Sequence, residues 1–428
     1  MRRRAGERPG HTGTTAHFQA IYPFLGQGGL GVPGAYIGRD AYGGAWMYDP
    51  WALYGPGILA DQNMLLLGKI GYRKSSLVKT YLFRQALFGR QSWVLDVKGE
   101  YGPLANALGG TVISLRPGGE VRLNPLSRRG DRAAQLLLLR SVAKAALRRE
   151  LSSEEDAGLR VALELVNAEH RENEPTLPDV VDALLRPRTA MVEGVSASSS
   201  ESFAQANRAC ALALQRLCEG DLQGMFDGPT TPGIDLDAPI VVLDLSAMQD
   251  STALGILMTC AAAWLQAIML ERKRIAELGG GSGIKLILVV EEGSRLTGHI
   301  GVAEWLQGNF KLCRSLGVQN IIVLHNISDL GTSGAQGSRE AKLAEGLIAD
   351  AGTKVIYAQS SDQVEPTRNK LGLSGTEAQI IPTLGRGEAL WIVGQQHSEL
   401  VQHRVSAFER KFIYNDHRVS QAQAEARV

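Results

Sequence analysis

The chain is short of most features that would classify it at a glance, and each shortage excludes something. Its 428 residues include four cysteines, Cys210, Cys218, Cys260 and Cys313, at spacings that match no CxxC pair, zinc ribbon or disulfide framework. They read as reduced, mostly buried thiols of a cytosolic protein. Excess charge is missing too: 45 Lys and Arg against 44 Asp and Glu leave +1, so no global positive field advertises nucleic acid or membrane. Any such contact must be local. The basic start, MRRRAGERPGHTGTTAH, leads into no apolar stretch of the kind a signal peptide needs. With 44% hydrophobic against 21% charged residues, disorder, collagen and a polytopic membrane protein are excluded. What remains is a folded chain long enough for two or three domains, or for one large α/β unit with an insertion.

One segment lacks charge altogether, Ser251 to Leu270 (STALGILMTCAAAWLQAIML), followed by Glu-Arg-Lys-Arg. Its length would permit a membrane span. Ser, two Thr and Gln266 within it, and strand-like runs on both sides, favour a crossover helix covered inside an α/β core. That reading predicts no intrinsic transmembrane segment, and it makes PIVVLDLS (239–246) and KLILVV (285–290) neighbours in one sheet.

Strand-like and helix-like runs alternate along most of the chain. MLLL (64–67), a glycine loop, a helix from Ser75 to Phe88, SWVLDV (92–97) and TVISL (111–115) predict a parallel sheet. Helical spacing then dominates to residue 224, after which alternation resumes and runs to ALWIV (389–393). The expected organisation is a polar tail at 1–17 and a strand and loop arm at 18–60. An α/β core would follow at 61–130 and 225–415, with a helical insertion at 131–224 and a tail at 416–428.

The segment Leu67-Gly68-Lys69-Ile70-Gly71-Tyr72-Arg73-Lys74-Ser75-Ser76 follows a strand and opens a helix. That is the context of a phosphate-binding loop, GxxxxGK[ST], in which backbone N–H groups wrap phosphate, lysine neutralises its oxygens and the hydroxyl ligates Mg²⁺. Gly68, Gly71, Arg73, Lys74, Ser75 and Ser76 form the candidate nucleotide site. Arg73 stands where glycine normally precedes the lysine, a position whose backbone leaves little room for a Cβ. The bland alternative is a glycine turn. A second apolar run, KLILVV, ends in Glu291 and Glu292, the strand-end carboxylate pair that nucleotide hydrolysis uses, one towards metal and one towards water. Ser75 and Glu291 are the candidate metal ligands, and Glu292 the candidate catalytic base. His325, at the end of NIIVL, would sense phosphate or cap a loop, and Asp96 would reach the metal or cap a turn.

With these motifs, LDVKGEYGPLA, LNPL (123–126), LQGMFDGPT (222–230), LCRSLG (312–317) and LGLSGTEAQIIPTLGRGEALWIVG, the chain resembles the HerA/FtsK branch of P-loop ATPases, most nearly those of conjugation and type IV secretion. The resemblance implies a RecA-like core with a mostly parallel central sheet and an inserted helical subdomain. It implies ATP and Mg²⁺ as cofactors and a hexameric ring of identical chains. The partners implied are membrane secretion or conjugation channel components, with DNA a candidate in the central pore, at the inner face of the cell membrane. It gives Glu292 the catalytic carboxylate, His325 the sensor position and Arg314 the arginine donated to a neighbouring subunit, with Arg386 as runner-up. The departures, Arg73 for glycine, Glu291 for aspartate and His325 for glutamine, leave a second reading, a non-hydrolysing nucleotide-binding or scaffold subunit. A P-loop kinase or GTPase ranks below both, because no NKxD-like base-reading motif occurs.

Overall fold

A computed structural model describes residues 29–127, 132–147, 149–170, 173–220, 222–248, 254–279, 285–293, 300–327, 339–395 and 397–414. The expected tails at 1–17 and 416–428 lie outside the described residues, as does the start of the expected arm. The described strands are β1 (Ala35–Asp40), β2 (Ala45–Tyr48), β3 (Met64–Leu67), β4 (Gln91–Asp96), β5 (Thr111–Ser114), β6 (Ile240–Asp244), β7 (Leu286–Val290), β8 (Val318–Leu324), β9 (Thr353–Ile356), β10 (Glu388–Val393) and β11 (His397–His403). They form one sheet in the order β2-β1-β11-β10-β9-β3-β8-β7-β4-β6-β5. From β9 to β5 every pairing is parallel, and from β9 to β2 every pairing is antiparallel.

The parallel strands are apolar along their whole length because both faces are covered. Leu65, Leu67, Trp93, Leu95, Leu288 and Val290 join the core on one side. Met64, Leu66, Val94, Ile287 and Val289 alternate into the core on the other. The first core is shared with helices Arg132–Leu147, Ser153–Glu169, Leu177–Leu185 and Ser200–Glu219, which follow β5. Ser152 and Ser199 cap two of them through bonds to Glu155 N and Ser202 N.

Helix Leu254–Gly279 buries Leu254, Leu257, Met258, Ala261, Trp264, Leu265 and Ile268, a stripe at three- and four-residue spacing. Trp264 meets Trp93 of β4 with ring centroids 5.9 Å apart. Among the described residues no helix is long and apolar enough to cross a membrane. The expectation that β6 and β7 are neighbours is corrected: β4 lies between them, pairing in parallel with both. A 26-residue helix is long enough to carry the chain past the strand already seated there.

The antiparallel end carries a buried histidine of β11. His403 is 5% exposed, and neither ring nitrogen has a hydrogen-bond partner among the described residues. Burial, with Arg84 and Arg73 nearby and Glu409 opposing them, lowers its pKa to about 3. The unfolded chain takes up this proton near pH ~6.5 and the folded chain does not, so stability is lost as pH falls from there towards 3. His403→Leu should therefore flatten the acid limb of stability, by up to about 1.4 kcal/mol per pH unit in denaturant titrations between pH 7 and 4. Parallel limbs in the two chains would show that His403 plays no part.

Candidate active site

The parallel register brings successive strand ends side by side. Leu67 of β3 pairs with Leu324 of β8 and Ile356 of β9, while Val290 of β7 pairs with Ile322 of β8 and Leu95 of β4. Gly68, His325, Glu291 and the Asp96 corner thus lie past the carboxyl ends of adjacent strands, where open α/β sheets place ligands.

Gly68 has φ 154°, and a Cβ there would sit 2.4 Å from the Tyr357 Cβ, so no side chain fits. Gly68 N donates to Leu324 O at 3.3 Å and Lys69 N to Ala358 O at 2.9 Å, which ties the loop to β8 and to the end of β9. Gly71 follows at φ 84°, and Arg73 takes φ 73° and ψ 27°, the left-handed conformation that glycine usually fills. Helix Lys74–Ala86 starts there, with no side chain capping its N-terminus. Ser75 and Ser76 occupy its first turn, and their helix end carries the partial positive charge that attracts phosphate.

The Arg73 side chain leaves the loop. Its guanidinium lies 5.5 Å from the Tyr414 ring centroid, and its Cδ would be 3.6 Å from a Cβ on Gly387. The Gly387 region packs on the same loop: Gly387 N donates to Tyr72 O at 3.4 Å, and Arg386 Nε to Gly71 O at 3.0 Å. Arg386 therefore contacts the loop of its own chain. Arg314 is exposed in the last turn of helix Ile300–Leu316, which leads into the amino end of β8, at the opposite end of the strands from the loop.

Lys74 is 5% exposed, with Nζ donating to Gly68 O and, at 2.9 Å, to Lys69 O. Burial lowers its pKa to about 8, with Lys98 adding to the effect and Glu291 and Glu292 opposing it. The same Nζ lies 3.1 Å from His325 Nδ1, and His325 Nε2 lies 2.8 Å from Glu292 Oε1. Lys98 Nζ forms an ion pair with that oxygen. The His325 bond, supported by Lys98 and working against burial, holds the Glu292 pKa down to about 2. Glu292 itself sits at φ 56°.

Glu291 points elsewhere. It is buried, its Oε1 accepts from the Tyr101 hydroxyl, and burial raises its pKa. Asp96, for which metal contact and turn capping were both open, accepts from Lys98 N, Gly99 N and Tyr101 N and so caps the loop after β4. Lys98 and Tyr101 went unassigned in the sequence. The signal was present in LDVKGEYGPLA, a strand end followed at once by a cation and a phenol.

These residues suit a nucleotide's phosphates: an uncapped helix end, a loop with no room for a side chain at Gly68, and a buried ammonium beside a charged carboxylate. The Ser75 hydroxyl is a hard oxygen donor that suits Mg²⁺, while the Glu291 carboxylate, the other expected ligand, is engaged by Tyr101. Among the described residues no group of three or more His, Cys, Asp or Glu is placed to hold a metal unaided. Such an ion would depend on phosphate oxygens as well.

The left-handed Arg73 costs about 1–3 kcal/mol relative to glycine. Because its side chain lies against Tyr414 and Gly387, Arg73→Gly should relieve strain without removing a phosphate ligand. Folding stability should rise by about 1 kcal/mol in denaturant titrations, with affinity for ATP undiminished in titrations at matched ionic strength. Weaker binding by the glycine variant would instead make the guanidinium a ligand.

No protein-family model matches the chain, and no curated protein matches it. Solved structures do. VirB4 of Thermoanaerobacter pseudethanolicus superposes with a TM-score of 0.67 at 22% identity, covering 88% of this chain and 98% of that one. The bacterial conjugative coupling protein TrwBΔN70 gives 0.54 at 16% identity over 81% of this chain and 85% of that one. TrwB in complex with ADP and Mg²⁺ gives 0.54 at 16% identity, with 81% and 86% covered. With its large, mostly parallel sheet and its loop at the end of β3, the chain has the RecA-like P-loop fold of VirB4 and TrwB, the fold that the HerA/FtsK resemblance implies.

Proposed function

We propose that the chain is an ATPase that works as a ring of identical subunits, hexameric by resemblance, and couples ATP hydrolysis to movement of DNA or protein through a conjugation or type IV secretion channel. It would act on the cytoplasmic side of the membrane, held there by channel components. The observation that carries this reading is the continuous contact Lys74–His325–Glu292–Lys98 at the mouth of the phosphate loop. It places the residue expected to bind phosphate, the residue expected to sense it and the residue expected to face water in one connected group.

In this reading Lys74 leaves the loop carbonyls to meet the β and γ phosphates, and N–H groups of the first helical turn hold the rest of the anion. Ser75 would hold Mg²⁺ together with phosphate oxygens, with Glu291 reaching such an ion only on leaving Tyr101, and the ion would supply neutralisation of phosphate charge. Glu292 orients the attacking water and accepts its proton. A carboxylate held this far below neutrality acts mainly by position, since a strong base would titrate nearer the working pH. His325 is placed to report whether Lys74 is engaged with phosphate. Arg314 would reach the site of a neighbouring subunit and stabilise charge on the transferred phosphoryl.

The second reading, a nucleotide-binding scaffold without turnover, is favoured by the strained Arg73. Phosphate release by the purified chain separates the two. Lys74→Ala should abolish ATP binding, whereas Glu292→Gln should keep it and slow turnover by about a hundredfold or more. Equal loss of binding in both would make Glu292 structural.

Donation in trans has its own signature. Chains carrying Lys74→Ala and chains carrying Arg314→Ala should each be inactive, yet regain turnover when mixed, because a mixed interface joins an intact loop to an intact arginine. Two inactive chains that stay inactive after exchange of subunits would remove Arg314 from the reaction.

A further inference from the structure

One loop grips both carboxylates of the Glu291–Glu292 pair. Asp96, at the end of β4, accepts from Lys98 N at 3.1 Å, Gly99 N at 2.9 Å and Tyr101 N at 2.8 Å, and Gly99 turns the chain at φ 71°. The corner aims Lys98 and Tyr101 at the neighbouring strand β7. Tyr101 reaches Glu291 and Lys98 reaches Glu292. Glu292 lies in a backbone region that a non-glycine residue occupies only under constraint, at φ 56°. Both Lys98 and His325 meet its Oε1, so the carboxylate is held by one oxygen from β4 and β8, the strands on either side of β7. The side chain of Lys98 keeps 31% of its exposure, against 9% for Glu292. An ion pair open to solvent on one side contributes little to folding, and its main effect is to fix geometry.

We infer that Lys98 is a positioning residue for hydrolysis: it holds Glu292 in its constrained corner, with Oε1 occupied, so that the carboxylate meets the attacking water without Lys98 itself binding nucleotide. This deepens the hydrolytic reading and rests on it. Asp96 and Gly99 serve the same end by shaping the corner that presents the lysine.

The test uses the full chain with Lys98→Met, which keeps the apolar stem, and Lys98→Arg, which keeps the charge. Affinity for a non-hydrolysable ATP analogue and melting temperature are read beside steady-state turnover. Lys98→Met should bind the analogue within about twofold of the unaltered chain and lose about tenfold or more in kcat with KM little changed, and Lys98→Arg should restore most of the loss. On a Glu292→Gln background Lys98→Met should cost nothing further, because the two residues act as one unit. A loss of analogue affinity with kcat preserved would overturn the inference by making Lys98 a phosphate ligand, as would losses that multiply in the double variant. Should Lys98→Met melt early, the Lys98→Arg chain decides: a folded arginine variant as slow as Glu292→Gln counts against positioning by charge. Turnover that depends on Glu292 and ignores Lys98 removes this inference alone. No turnover by the unaltered chain removes it together with the hydrolytic reading.

Discussion

Everything at the site depends on the ladder that aligns β3, β8, β7 and β4. These strands come from segments separated by as many as 257 residues, since Leu67 pairs with Leu324, and only their parallel hydrogen bonding puts the Gly68–Ser76 loop beside His325, the glutamate pair and the Asp96 corner. The ladder is stable because both faces are covered, with Leu65 and Leu67 in one core and Met64 and Leu66 in the other. Slipping one strand by a single residue would exchange its two faces and shift its terminal side chain by a full residue spacing.

Two non-glycine residues at the site, Arg73 and Glu292, adopt left-handed backbone conformations. Strain of this kind persists where surrounding contacts over-determine the geometry. For Arg73 those contacts are Tyr414 and the Gly387 region, and for Glu292 they are Lys98 and His325. The charges are arranged to match. Lys74 and Lys98 flank a chain of hydrogen-bonding groups, one ammonium buried and the other partly open to water.

Much of this was legible in the sequence because it is local. MLLL, SWVLDV, KLILVV and NIIVL read as strands from unbroken apolar runs, and the loop from Gly68 to Ser76 from glycine and hydroxyl spacing. The helix expected from Ser75 to Phe88 runs from Lys74 to Ala86. What escaped was decided by neighbours in space. The pairing of Lys98 with Glu292 exists because β4 inserts between β6 and β7, an order that chain position does not reveal. The direction of the Arg73 side chain depends on residues more than three hundred positions away. Helix Ser361–Leu371 was hidden by Pro366 within it, and β11 by its polar sequence, HSELVQH, since a strand near the sheet's antiparallel end need not be apolar throughout.

The loop and Arg314 lie at opposite ends of the same strands, and this polarity shapes any assembly in which one serves the other. In a two-fold pair the donation must be reciprocal, each chain giving its arginine to the chain whose arginine it receives. In a heterologous contact the arginine passes from neighbour to neighbour, and the series closes by going around a circle. Each reaction centre then belongs to two molecules, and the inheritance is directional: a chain that lacks the arginine leaves its own loop intact and disables the loop it faces.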